Sequence, residues 1–373
     1  MRGRWALVAG TALVAVTGCT SSGSSTAEPT QPPSPSATAS AAATATAAPS
    51  ATPTPPAVSV LVALERSTGA LEVYRVDSAR HALRQRLMGR PAKDYRPSSI
   101  AFAAASNPTM CVTWQRVGHE DADGQLLCYA PGAFVGHRVA GVPHTPTAVA
   151  LRADGKALAW TESAGDPSYQ MDLLVGDFDG NAVRNVRRIA YDPSCPPSKG
   201  EECLGFLGVG ALAWVGTDAV ALSVGGESDE GSGLRVMRLD PASTAKGWLK
   251  GSRQVPVPKA DRDRQFYAYD NVVSATTTTA LAVERANLVC CDGGPPARAV
   301  RLNLTTGAVL EVVAVPATGR EAMAVSGDHA VLYVTQSNRG TDRKVYLRLP
   351  GEAHGLEVTG LPSGVATAVL QAL

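Results

Sequence analysis

The chain is poor in helical periodicity, which argues against a helical bundle and leaves β-structure as the main option. It also lacks an excess of either charge. Its 373 residues hold 34 Lys and Arg against 33 Asp and Glu. No basic stripe runs along the sequence, which argues against nucleic acid as a partner. Motifs of catalysis are missing too. There is no Gly-x-Ser-x-Gly elbow, no His-Glu-x-x-His and no phosphate-binding glycine loop. The histidines, His81, His119, His137, His144, His329 and His354, are scattered. No Cys-x-x-Cys occurs, and no His stands near the later cysteines, so neither a metal site nor a cofactor is expected.

What the sequence does hold begins with an address. Arg2 and Arg4 precede a short apolar run, Trp5 to Val16, which is too short to span a bilayer. Val16-Thr17-Gly18-Cys19 then resembles a bacterial lipobox. The resemblance implies that residues 1–18 are a signal peptide and that Cys19 is lipidated, which places the protein on the extracytoplasmic face of the cell membrane. Residues 19–57 are rich in Ser, Thr, Ala and Pro, with Glu28 as their single charge. Such a stretch cannot bury enough apolar surface to offset its chain entropy, and it reads as a disordered tether. In a polyproline-like state it would reach roughly 110 to 120 Å.

Residues 58–373 form the expected folded domain. Setting aside Arg2, Arg4 and Glu28 leaves 32 basic and 32 acidic residues, so this domain is formally neutral. The stretch Pro146 to Glu162 sets its pattern: two apolar runs flank Asp154-Gly155. That reads as a β-hairpin closed by a two-residue turn. Its first run, Ala148-Val149-Ala150-Leu151, recurs as Ile100-Ala101-Phe102-Ala103, Ala211-Leu212-Ala213-Trp214, Ala322-Met323-Ala324-Val325 and Ala366-Thr367-Ala368-Val369. Sets of four strands start near Ser98, Thr147, Val209, Asp270 and Arg320, at the period of propeller blades with loop insertions. Three strands before Ser98 lack a first strand, and Gly364 to Leu370 is a first strand with nothing after it. Joining the two ends predicts a sixth blade and a ring without a free edge at its seam. Seven blades are the alternative, with the missing one hidden in Tyr191 to Leu207.

Leu151-Arg152-Ala153-Asp154-Gly155-Lys156-Ala157-Leu158-Ala159-Trp160 resembles the hairpin of TolB-type blades, departing from it at Arg152 and Ala153. The resemblance implies an all-β, six-bladed propeller of the TolB-like and WD-repeat-like kind. It implies little about function, since propellers host many.

Six cysteines follow Cys19, an even number in a chain with an export signal. Cys111 and Cys128 fall on consecutive strands and are expected to pair across a hairpin. Cys195 and Cys203 bracket a Pro-rich loop and are expected to pair as well. Cys290 and Cys291 are adjacent. They form a vicinal disulfide, pair with other cysteines, or stay as free or metal-binding thiols.

Asp121-Ala122-Asp123-Gly124 and Asp177-Phe178-Asp179-Gly180 resemble the opening of calcium loops but read as turns. In a propeller, loops between second and third strands and those between blades emerge on one face. Here they are long and chemically mixed, while the turns on the other face are mostly short. Long polar loops gathered on one face suggest recognition. The residues expected to contact a partner are Tyr95, Arg96, Glu120, Tyr169, Arg264, Tyr267, Asp292 and Arg339. Two functions compete. One is a lipid-anchored binding module for an envelope protein or small ligand. The other is a propeller enzyme, whether hydrolase, lyase or quinoprotein-like dehydrogenase.

Overall fold

The alternating runs pair into six antiparallel sheets of four strands each. The computed structural model describes residues 59–66, 68–103, 109–118, 123–132, 134–142, 146–163, 171–192, 207–226, 233–256, 267–274, 276–286, 298–314, 320–326, 330–336, 343–362 and 365–372. The lipobox, the tether, Cys195, Cys203, Cys290 and Cys291 lie outside them.

Blade 1 contains β1 (Val60–Arg66), β2 (Leu71–Val76) and β3 (Ala82–Gln85). Blade 2 is β4 (Tyr95–Phe102), β5 (Met110–Arg116), β6 (Gly124–Tyr129) and β7 (Gly136–Arg138). Blade 3 is β8 (Pro146–Leu151), β9 (Ala157–Ser163), β10 (Met171–Phe178) and β11 (Val183–Ile189). Blade 4 is β12 (Leu207–Val215), β13 (Ala219–Gly226), β14 (Gly233–Arg238) and β15 (Ser252–Gln254), with α1 (Pro241–Thr244) and α2 (Trp248–Gly251) before its last strand. Blade 5 is β16 (Tyr267–Ser274), β17 (Thr279–Ala286), β18 (Arg298–Asn303) and β19 (Val309–Ala314). Blade 6 is β20 (Arg320–Val325), β21 (Val331–Gln336), β22 (Arg343–Arg348) and β23 (Leu356–Glu357). The last strand, β24 (Val365–Ala372), returns to blade 1 as its first strand.

The seam is an antiparallel ladder from Val60↔Ala372 to Glu65↔Thr367. The first strands meet in the order β24, β4, β8, β12, β16, β20 and back to β24, so the ring closes on six blades. A seventh blade has no place. Leu173 and Ile189 of blade 3 share one buried cluster with Val209 and Leu222 of blade 4.

Period-two alternation explains why blades stack. Leu61 and Ala63 of β1 pack with Met110, Val112 and Trp114 of blade 2. Val60, Val62 and Leu64, on the opposite side of β1, pack with Leu332 and Leu347 of blade 6. Each such buried Val or Leu contributes about 1.5 to 3 kcal/mol over its exposed state.

All six first strands also carry a register shift, between Pro97 and Ser99, Pro146 and Val149, Val209 and Ala211, Asp270 and Val273, Ala322 and Ala324, and opposite Glu65/Arg66 in β24. A bulge leaves ladder groups unpaired and increases twist. Hydroxyls take up the freed groups between blades 2 and 3. The Ser98 and Thr113 hydroxyls lie 2.7 Å apart, and each is 3.1 Å from the Thr147 carbonyl oxygen, to which it donates when its proton points that way.

One expectation changes. The Asp154-Gly155 hairpin is not closed by a two-residue turn. Arg152 N–H donates to the Ala157 carbonyl, leaving four residues between, and of the pair only Gly155 takes a positive φ, +70°. Asp154 instead uses its carboxylate, accepting from Lys156 N–H and from both arms of Arg152 at 2.9 Å. On the opposite side, where the connections are mostly short, one is longer. Blade 4 spends 239–251 on its last turn, where Asp240 caps α1 through Ser243 N–H at 2.9 Å and buried Trp248 reaches back to donate to the Met171 carbonyl of blade 3.

Candidate recognition face

Antiparallel pairing within each blade fixes which connections share a face. Second strands run towards the face of the blade-to-blade connections and third strands run away from it. The chain enters β1 at Val60 and leaves β24 at Ala372, two residues paired at the opposite face. The strand ends that lead into the long connections and the two ends of the domain therefore lie on opposite sides of the ring.

The described part of the long-loop face carries three charged networks. In blade 2, Tyr95 stands at the start of β4, paired with Arg116 at the end of β5. Tyr95 donates its phenol proton to Asp123 Oδ1 at 2.6 Å. Arg116 bridges Asp94 at 2.7 Å and Asp123 at 3.4 Å. The hydrogen bond to Asp123, followed by partial burial, holds the Tyr95 phenol above its ordinary pKa. Arg96, next along, is exposed and lays its side chain over Gly69 of blade 1, where a Cβ would stand 2.7 Å from Arg96 Cδ. This turn takes glycine because φ is +78° and because the arginine needs the space.

In blade 3, Glu162 ends β9 and Asp172 begins β10, directly opposite it. Both are buried, with 3 % and 7 % of their surface exposed. Arg188 of β11 answers both, through Nη2 to Glu162 at 2.6 Å and Nη1 to Asp172 at 2.8 Å. The second Asp172 oxygen accepts Tyr191 N–H at 3.1 Å. Blade 5 repeats the idea with buried Glu284 paired to Arg298. Burying a carboxylate is costly unless a cation and hydrogen bonds compensate it, and both are supplied here. These pairs anchor the bases of the connections that leave β9, β11 and β17.

Of the eight residues expected to contact a partner, the structure brings Tyr95 and Arg96 together, on a strand and not in a loop, because ladder pairing extends to the start of β4. Tyr267 likewise begins a strand, opposite Ala286. Glu120, Tyr169, Arg264, Asp292 and Arg339 lie outside the described residues. The sequence reading missed Asp94, Arg116, Glu162, Asp172 and Arg188. The one available signal was an acid closing an apolar run, as in Trp160-Thr161-Glu162.

Cys111 and Cys128 form a disulfide between directly opposed positions of β5 and β6, with Cα atoms 4.1 Å apart. Asp177-Phe178-Asp179-Gly180 is a turn: Asp179 Oδ1 accepts Asn181 N–H at 3.0 Å and Ala182 N–H at 2.8 Å. Among the described residues no three His, Cys, Asp or Glu side chains group as a metal site.

The described rim is thus held by ion pairs and hydrogen bonds between strands and their flanking residues. No protein-family model matches the chain, and no curated protein does. Solved structures do. TolB from Acinetobacter baumannii aligns over 84% of this chain with 14% identity and a TM-score of 0.50. The alignment spans 66% of that protein's length. A periplasmic gluconolactonase from Pseudomonas aeruginosa aligns over 84% of this chain and 99% of its own, at 12% identity and a TM-score of 0.44. A xyloglucanase from Xanthomonas campestris aligns over 80% of this chain and 43% of its own, at 13% identity and 0.44. The likeness to TolB is one of fold.

Proposed function

We propose that the protein is a binding module: a six-bladed propeller tethered to the outer face of the bacterial cell membrane through acylated Cys19, recognising an envelope protein or small ligand with its long-loop face. The observation that carries this reading is the separation of faces. Both ends of the domain lie on one side of the ring, and the strand ends that lead into the long connections lie on the other. A chain anchored at its N-terminus through residues 19–57 is then free to present the long connections outward. The described rim supports the reading, because Tyr95, Asp123 and Arg116 are already fixed to one another and lose little side-chain entropy on contact.

The test has two parts. Tyr95→Ala, Arg96→Ala and Arg116→Ala are compared with Lys156→Ala, Thr217→Ala and Thr306→Ala on the other face, each used as bait for capture from the cell envelope. Loss of capture confined to the first set is expected, and loss confined to the second would reverse the assignment. Separately, Cys19→Ala should leave the precursor unprocessed or release the protein. Unchanged processing and membrane retention would remove the anchor from the proposal.

A further inference from the structure

The domain is formally neutral, yet its acids are unevenly placed. Residues 78–93 hold Arg80, Arg84, Arg86, Arg90 and Lys93 and no Asp or Glu. Residues 124–153 hold Arg138 and Arg152 and again no acid. The fold sets the parts of these stretches around Met88 and Phe134 to Gly136 side by side at the outermost strands, where blade 1 meets blade 2. Met88 bridges in parallel to Val135, Met88 N–H donates to the Phe134 carbonyl at 3.0 Å, and Gly136 N–H donates to the Met88 carbonyl at 2.9 Å. Two glycines make this approach possible. A Cβ on Gly89, whose φ is +72°, would stand 2.7 Å from the Gly136 carbonyl oxygen, and one on Gly136 would meet Tyr129 at 2.7 Å.

Three of the cations in these stretches have acid partners. Arg80 pairs with Glu352, Arg84 with Glu72 and Arg152 with Asp154. Arg86, Arg90, Lys93 and Arg138 are exposed and form no ion pair among the described residues. Asp94, the acid next in sequence, is taken by Arg116. Leu83 is 68% exposed and Met88 40% exposed in the same stretch. Unpaired cations interleaved with exposed apolar side chains are the composition of a surface that sits at a charged lipid interface.

We propose that this wall docks on an anionic lipid surface, with Arg86, Arg90, Lys93 and Arg138 facing headgroup phosphates and Leu83 and Met88 entering the headgroup–acyl boundary. A lipid surface fits better than a soluble polyanion, because Leu83 and Met88 gain burial only at a boundary with apolar material. The proposal rests on the anchoring proposed above only for bringing the domain within reach of such a surface.

The test is co-sedimentation of the full chain carrying Cys19→Ala, so that no acyl group contributes. Vesicles of phosphatidylcholine with about one-third phosphatidylglycerol are compared with phosphatidylcholine alone, which also measures binding by the apolar N-terminal run. Each cation near an anionic surface contributes about five-fold in partitioning. Arg86→Gln/Arg90→Gln/Arg138→Gln should therefore lose about a hundred-fold of the phosphatidylglycerol-dependent binding. Lys156→Gln/Arg238→Gln/Lys246→Gln removes the same charge elsewhere and should lose less than five-fold. Leu83→Ser/Met88→Ser should lower the binding that survives high salt. Equal losses in the two triple variants, or no preference for the anionic vesicles, would overturn the proposal. Binding to poly-glutamate or an oligonucleotide without binding to vesicles would overturn it too, in favour of a soluble polyanion. The Cys19 processing assay does not involve this wall, so failure of the anchor and failure of the wall are separable.

Discussion

Removing the Cys111–Cys128 disulfide should weaken the domain mainly through its unfolded state. The sulfurs join opposed positions of β5 and β6 and close a loop with a sequence separation of 17. In the chain-entropy account a loop of that size contributes about 3 kcal/mol at 25 °C. The native geometry does not depend on the bond, because Met110↔Tyr129 and Val112↔Leu127 hold the same register on either side. Cys111→Ala/Cys128→Ala also deletes two buried sulfurs from sites 0% and 1% exposed, adding about 1 to 2 kcal/mol for the small cavities left. The sum is about 4 to 5 kcal/mol. For a domain of this size that corresponds to a fall of roughly 6 to 8 °C in melting temperature, from an unfolding entropy of about 2 cal/mol/K per residue. The assay is urea and thermal unfolding of the variant against the oxidised parent, with near-UV circular dichroism to show that packing is retained. The urea m-value should rise as well, because the uncrosslinked unfolded chain exposes more surface. A variant that melts within a degree of the parent with an unchanged m-value would refute the reasoning. A large loss of near-UV signal would show that the bond shapes the native blade after all.

Deleting residues 365–373 removes the whole first strand of blade 1 and leaves β1 as an open edge, so the truncated domain should lose its cooperative melting transition; an unchanged melting temperature would contradict closure through β24. Arg188→Met strips the shared cation from Glu162 and Asp172 and should cost about 1 to 3 kcal/mol, reduced from the fully buried case because the Arg188 side chain is half exposed. Urea midpoints of the variant against the parent would show that loss, and an unchanged midpoint would contradict it. Asp179 is held below its ordinary pKa by the N–H groups of Asn181 and Ala182, so its contribution is present above the ordinary carboxylate range and is lost as pH falls through the lowered value. Asp179→Asn keeps an acceptor oxygen without the charge and should flatten the acid limb of the stability curve; an unaltered limb would remove this turn from the account.

The architecture was legible because a blade's signature is local. Period-two runs, turns and a spare strand at one end are all read within a few residues, and the gap before Val60 matched the surplus at Val365. Turn chemistry was less legible. Asp154-Gly155 invited a two-residue turn, and the carboxylate's ability to hold Lys156 N–H and Arg152 together decided for a longer one. The rim was least legible, because its pairs are set by register. Glu162, Asp172 and Arg188 belong to three strands, and Arg188 is 16 residues beyond the nearer acid. Pairing of β9 with β10, and of β10 with β11, brings them together. The basic wall shows the same limit from the other side. A count of 32 against 32 hides it, and neither acid-free stretch is a stripe by itself. Only the parallel bridge of Met88 to Val135 brings these two acid-free segments together. In a propeller, then, charge has to be read across blades, along the rim where the end of one blade's last strand touches the start of the next, as it also does at Ala140 and Ala182 and at His81 and Thr359.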